Sequence, residues 1–472
     1  MSRLEDASGP CDAGVTREVV GLAWPTAVGM LSFTCMGVVD TLLMGRVGTT
    51  AQAGVGLATT LAIAALAFSR GLAAGPQALV AAADGAGDPA RVARAGGAGL
   101  LLGAVGSALA VLLFLGATWA LGRVVHDEAV AASAARYLAV RAWEAPCTVM
   151  AFALLAGLQG LGDARARMWA GLLGNALNIG LDLVLIFGWG PIPPLGEEGA
   201  ALATVLASTA MCALYALRFR RRFPRVRWPG AEVLRAGLTL GLPAGSQQVL
   251  CVLAFVVVGV VLANAGAVEL AANEVVLNVM SVSFLPGLAL GEAAGVVVGR
   301  ALGAGRTARA RAAVASARLL ALGVMGACGL AFVLGGPRLG AWFSQDPEVV
   351  ARIARLLLFA ASFQLLDALA IVHLSALRGA GDARFCLLAT SLPAWAVNLP
   401  LTLALAWGLG WGATGAWTAL TAEIALIAAA ASWRVRRLGR GLERLDLLLG
   451  APAVKREERE EREEARGLVA VG

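Results

Sequence analysis

The chain has 472 residues, 59% of them hydrophobic and only 15% charged, with a formal net charge of +7. A soluble protein carries roughly 25% charged residues, so composition excludes a soluble enzyme and predicts a polytopic helical membrane protein. Nucleic-acid binding is not expected from the positive charge, because the basic residues are almost all Arg, with Lys455 the only lysine, and cluster between apolar runs. Seven scattered cysteines show no paired spacing, so neither a disulfide framework nor a metal site is expected.

Apolar runs long enough to cross about 30 Å of hydrocarbon as helix recur in order near 19–43, 53–81, 95–122, 134–158, 168–189, 198–218, 235–264, 270–299, 312–335, 350–376, 386–408 and 412–434. The first follows the polar stretch "MSRLEDASGPCDAGVTREVV" without a cleavage signature, so it is read as a retained span. It holds Pro25, which lacks an N–H and weakens the helical ladder as a hinge, and Asp40, a carboxylate in the interior of an apolar run. Between the third and fourth spans lies His126, read as a solvent-exposed residue, and within the fourth Glu144 stands three residues after Arg141 in ion-pair spacing. Span five carries Asn178 and Asp182 at i and i+4, hence on one helix face. The eighth span holds Glu274 and Glu292, the tenth Asp367 and His373, and the twelfth Glu423 with no evident partner. Intramembrane acids are expensive and usually mark ion or proton pathways.

Arginines concentrate in 82–94, 159–168, 218–235, 300–318 and 378–384, whereas the alternate links 44–52, 190–197, 265–269 and 409–411 hold Arg46 alone. By the positive-inside rule both termini are expected in the cytoplasm. The alternating-charge tail "VKREEREEREEAR" is read as a solvated extension. Glycine-rich loops such as "GAGD" and "GLGDAR" lack a preceding strand and a P-loop lysine, and are read as tight turns.

The two halves repeat. At an offset of 218, Pro25 falls on Pro243, Gly48 on Gly266 and "GAGDPAR" (85–91) on "GAGRTAR" (303–309). "GLGDAR" matches "GAGDAR" at 219, and Asn178 matches Asn398 at 220. The expected fold is an all-α membrane protein: twelve transmembrane helices as two six-helix bundles in a parallel, pseudo-two-fold repeat around a central cavity, a transporter arrangement. The N-lobe spans 19–218, a linker 219–234 and the C-lobe 235–434, flanked by cytoplasmic segments 1–18 and 435–472. Asp40 aligns with Val258 and Asp182 with Thr402, so the scaffold itself requires neither acid.

The stretches "LAWPTAVGMLSFTCMGVVDTLLMGRVG", "ALVAAADGAGD", "LQGLGDARARM", "NIGLDLVLIFG", "GAALATVLAS" and "LRGAGDAR" together resemble the multidrug and toxic compound extrusion (MATE) transporters over residues 17–435. Within that family the chain is similar to the DinF-like, proton-coupled branch. The resemblance implies a proton site at Asp40, Asn178, Asp182 and Thr204, coupled to bending of the first helix near Pro25 and to release of an organic, often cationic, substrate. If Asp40 and Asp182 meet, they would titrate as a coupled pair. Asp367, Glu274, Glu292 and His373 are candidates for a C-lobe cation or substrate site. The helix 7 acid of the cation-coupled NorM-like branch falls near Cys251, which makes that set incomplete.

The expectation is therefore a non-enzymatic multidrug efflux antiporter of the bacterial inner membrane, working as a monomer. It would exchange protons for small organic molecules without a cofactor. Alternatives are a sodium-coupled exporter, a lipid-linked precursor flippase of the same superfamily, or a membrane enzyme with Asp40 and Asp182 as a dyad. The flippase would favour a cationic cavity, and the enzyme a histidine cluster that two scattered histidines do not supply.

Overall fold

The computed structural model describes residues 12–125 and 127–437. The first eleven residues, His126 and the tail from 438 onward lie outside the described residues. The first half runs α1 (Ala13–Val47), α2 (Thr49–Leu72), α3 (Ala74–Gly85), α4 (Pro89–Val124), α5 (Glu128–Arg141), α6 (Glu144–Gly160), α7 (Ala164–Phe187) and α8 (Gly196–Arg222). In the second come α9 (Gly230–Ala265), α10 (Ala267–Gly303), α11 (Thr307–Phe343) and α12 (Pro347–Gly379). The eleventh span is composite: α13 (Ala383–Pro393), a π-helical turn (Ala394–Asn398), α14 (Leu399–Thr402) and a second π-helical turn (Leu403–Gly408). The last helix is α15 (Gly412–Val435).

Eleven of these helices or helix runs are long and apolar enough to cross a bilayer, and the pair α5–α6, bent by 53°, supplies the twelfth. The span order expected from the sequence holds. α1 begins earlier than its apolar run, because Asp12 caps it by accepting the Gly14 N–H at 2.8 Å. α8 continues to Arg222, its last turn carrying three arginines that suit the negative end of the helix dipole. The link to α9 is thus 223–229, shorter than the sequence suggested.

Four equivalent turns disclose the repeat in the backbone. Gly87, Gly162, Gly305 and Gly381 have φ of 67°, 73°, 73° and 81°, the left-handed region that glycine enters without strain. In each, the glycine and the following residue donate their N–H groups back to the preceding helix, as from Gly162 to Gln159 at 2.8 Å and from Gly381 to Arg378 at 3.0 Å. The loops are helix-ending turns, as their sequence predicted. Asp163 and Asp382, repeat equivalents, then clamp the final helix of their half: Arg218 grips Asp163 at 2.8 and 3.0 Å, and Arg434 reaches Asp382 at 2.7 Å.

The halves join at the arginine-rich end. Lipid is as apolar as a leucine, so hydrophobicity does not drive helices together within a membrane, and close approach through small residues must do so. Along the α2/α3–α9 seam, Gly71 packs on Ala244 and Gly245, and Gly75 on Gly237 and Gly241. Gly85 of α3 and Gly303 of α10 each lie against the opposing backbone. Polar links reinforce the seam: Arg300 to Asp84 at 2.8 Å, Arg309 to Glu18 at 2.6 Å, and Thr16 to Ser316 at 2.9 Å. Val15, Val19 and Ala23 of α1 enter the apolar core of the second half. Among the described residues, every inter-half hydrogen bond and ion pair lies at this end.

Candidate ion-coupling site

α1 and α7 pack side by side in the first half, which brings Asp40 against Asp182. Asn178 and Asp182, one turn apart on α7, are both fully buried, and Asp40 is half-buried. The two carboxyl groups are near enough to hydrogen-bond each other. Yet neither oxygen of Asp182 nor Oδ1 of Asp40 has a donor among the described residues, and both amide atoms of Asn178 are likewise unpartnered. Two carboxylates cannot bond without a proton, so the approach forms a hydrogen bond only when one acid is protonated. Two acids this close titrate in two macroscopic steps that belong to the pair and to neither residue alone.

Thr204 of α8 is buried and donates its hydroxyl to Ala200 O at 3.0 Å. Its oxygen can therefore only accept from a further group. All four residues that the resemblance assigned to the first half thus lie on helices α1, α7 and α8, which pack against one another.

Sequence reasoning gave Arg141 and Glu144 only a local ion pair, and that pair forms, at 2.6 Å. Its placement is the larger finding. The break between α5 and α6 turns both side chains inward, where Glu144 is 4% and Arg141 11% exposed, within electrostatic reach of Asp40. Thr148 adds a hydrogen bond to Glu144 at 3.2 Å, and Arg141 lies over the ring of buried Tyr137, 5.6 Å from its centroid. The region therefore gathers three acids and one arginine, an arrangement with more negative charge than its fixed cation can balance. Both members of the pair lie within the fourth span, but their i, i+3 spacing signals only a local pair and says nothing of Asp40.

Pro25 lies inside α1, which continues unbroken through it. Its missing N–H leaves one rung of the ladder open, the local weakness a hinge requires.

The four residues grouped for the second half are not brought together. Glu292 faces the other half instead: it accepts from Arg167 at 2.6 Å and from Gln159 at 3.3 Å. Glu274 is exposed, His373 shares a hydrogen bond with Ser432 at 2.9 Å, and buried Asp367 keeps an unpartnered Oδ2. The physical reason is that α10 is buried around nearly its whole circumference over Ala289–Leu302, so no apolar stripe tells which way Glu292 points. Among the described residues no group of three or more His, Cys, Asp and Glu is placed to hold a metal ion.

The MatE family model matches the chain twice, over residues 25–184 and 243–403, and so recovers the internal repeat. Among curated proteins, the multidrug resistance protein NorM of Burkholderia vietnamiensis is 31% identical over 430 residues, covering 88% of this chain and 92% of that protein. The multidrug resistance protein MdtK of Pectobacterium atrosepticum is 30% identical over 396 residues, covering 81% and 86%. Among solved structures, a MOP superfamily transporter from Pyrococcus furiosus, described as having a binding pocket of reversed polarity, superposes with a TM-score of 0.82 at 20% identity. That match covers 91% of this chain and 99% of the other, and it establishes the shared two-lobe fold.

Proposed function

Because the chain belongs to the MatE family of multidrug and toxic compound extrusion transporters, we propose that it exports organic, cationic or amphiphilic compounds in exchange for protons. The observation that carries this reading is the facing pair Asp40 and Asp182, in which Asp40 Oδ1 and both Asp182 oxygens are buried with no donor among the described residues. The arginine-rich end faces the cytoplasm by the positive-inside rule. The lobes join at that end, which supports an outward-facing conformation and a bacterial inner-membrane protein with cytoplasmic termini.

In this conformation a proton arriving from outside bridges Asp40 and Asp182 and cancels one negative charge. The site then loses its attraction for a cationic substrate, which leaves toward the outside. Drawing the two acids together also pulls α1 toward α7, and Pro25 lets α1 bend without breaking its other rungs. Once the cavity opens to the cytoplasm, loss of the proton restores a negative site for the next substrate. Coupling requires only that proton and substrate favour different conformations of one two-state element. Asn178 can donate to the ionised pair or accept from the protonated one, and so serves both states. The acids on α1 and α7 support a proton-coupled, DinF-like reading.

Efflux of a cationic dye from proteoliposomes, driven separately by imposed proton and sodium gradients, tests this. Wild-type protein should export under the proton gradient, and Asp40→Asn should not. Undiminished export by Asp40→Asn, or export under sodium alone, sinks the proposal.

A further inference from the structure

The second half holds an asparagine at the repeat position of Asn178. Asn398 is buried, and unlike Asn178 it is fully engaged: its amide N–H donates to Glu423 Oε2 at 2.5 Å and its carbonyl accepts the Thr402 hydroxyl at 2.8 Å. Thr402, fully buried, occupies the position that Asp182 holds in the first half. The acid has therefore left the eleventh span and reappears on α15, aimed at the same asparagine. Each half thus sets an intramembrane acid beside one equivalent amide, through a different helix.

The helix that carries Asn398 is remodelled around it. π-Helical turns at Ala394–Asn398 and Leu403–Gly408 bracket the pair Asn398 and Thr402, whereas the equivalent α7 is regular throughout. Such turns sacrifice regular i→i−4 bonding and recur at functional sites. Among the described residues Glu423 forms no ion pair, and its side-chain partner is the Asn398 amide. Cys251 of α9 lies within electrostatic reach of Glu423, and Arg378 of α12 within reach of that cysteine. From α10, Glu269 is occupied elsewhere, bound to Arg352 at 2.8 Å and to the Ala413 N–H at 2.6 Å, roughly 15 Å along α15. Toward the opposite end, Arg434 is held by Asp382 and His373 by Ser432. A carboxylate at membrane depth whose partner is a neutral amide is costly unless a proton neutralises it.

We propose that Glu423, Asn398 and Thr402 form a second proton-binding site, in the C-terminal lobe, filled and emptied separately from Asp40 and Asp182. Its part in export rests on the proton-coupled reading above; its proton binding does not. The ionised carboxylate accepts the Asn398 N–H, and the protonated acid keeps that bond through the same oxygen while its O–H turns away. Thr402 fixes the amide so that its N–H, and not its carbonyl, meets the acid.

Infrared difference spectra of the purified full chain in lipid nanodiscs, recorded as pH is stepped without substrate or gradient, test the site through the C=O stretch of protonated carboxyls. The expected wild-type signal contains one component lost in Asp40→Asn/Asp182→Asn and a separate one lost in Glu423→Gln. Asn398→Ala and Thr402→Val should retain the second component but displace its titration along the pH axis. Proton uptake counted with an indicator dye should fall by about one per chain in Glu423→Gln. A Glu423→Gln spectrum that overlays wild type at every pH overturns the site. Should that variant not fold, unmoved titration in both Asn398→Ala and Thr402→Val overturns it equally. The double aspartate variant reports on the first pair independently, so failure of one site leaves the other readable.

Discussion

Glu292→Gln should loosen the closure between the lobes. The carboxylate of Glu292, on α10, ties down Arg167 at 2.6 Å and Gln159 at 3.3 Å, both from the other lobe. The Arg167 and Glu292 side chains are 17% and 24% exposed. An exposed ion pair contributes ~0.2–1 kcal/mol, while breaking a buried one costs ~3–5 kcal/mol. A pair covered to this degree falls between, at about 1–2 kcal/mol. Arg300 with Asp84 and Arg309 with Glu18 persist in the variant, so the lobes should not separate outright. The population open at the arginine-rich end should instead rise by a factor of ~5–30. Spin labels at positions 165 and 306, exposed sites on opposite lobes, would report this as a longer-distance component in double electron–electron resonance. Distance distributions that superimpose for wild type and Glu292→Gln would refute the latch.

Two further outcomes follow from packing. In Gly75→Ala the new methyl group would meet the Gly241 nitrogen at 2.8 Å and crowd the Gly237 carbonyl; backbone cannot yield, so overpacking should cost about 1–3 kcal/mol and lengthen the same label distance. An unchanged distance would remove the glycine seam from the account. Asp163→Asn turns the charge-assisted grip of Arg218, at 2.8 and 3.0 Å, into a weaker neutral one, with an expected loss of about 1–3 kcal/mol and a lower unfolding temperature in detergent. Asp382→Asn weakens the Arg434 contact at 2.7 Å in the same way and should also lower it; unchanged temperatures in both variants would contradict the clamp.

Much of the fold was legible because the bilayer imposes a length on every span, and because a sequence that repeats must place equivalent turns equivalently. Asp40, Asn178 and Asp182 stood out as polar groups within apolar runs, whereas Thr204 entered only through the family resemblance. The breaks in the second and fourth spans were not read as breaks, although Pro76 and Pro146, three residues beyond Ala73 and Trp143, lack the N–H groups that would bond back to Leu72 and Ala142. Nor could one sequence reveal contacts between distant segments. Glu292 was assigned to the wrong partner set, and Glu423 to none, because the helices bearing them are covered on several sides and leave no periodic stripe to read. Arg141 and Glu144 were recognised as a pair but not as neighbours of Asp40, which the bend between α5 and α6 determines.

The central claim is that proton and cation compete for the site built on Asp40 and Asp182. Equilibrium binding of a fluorescent cationic dye to purified protein, measured across a pH series, tests this most directly. Competition by one proton predicts dye affinity that weakens as pH falls, by up to about tenfold per pH unit. Asp182→Asn should flatten that dependence. Wild-type affinity independent of pH, or a dependence that survives in Asp182→Asn, would contradict it.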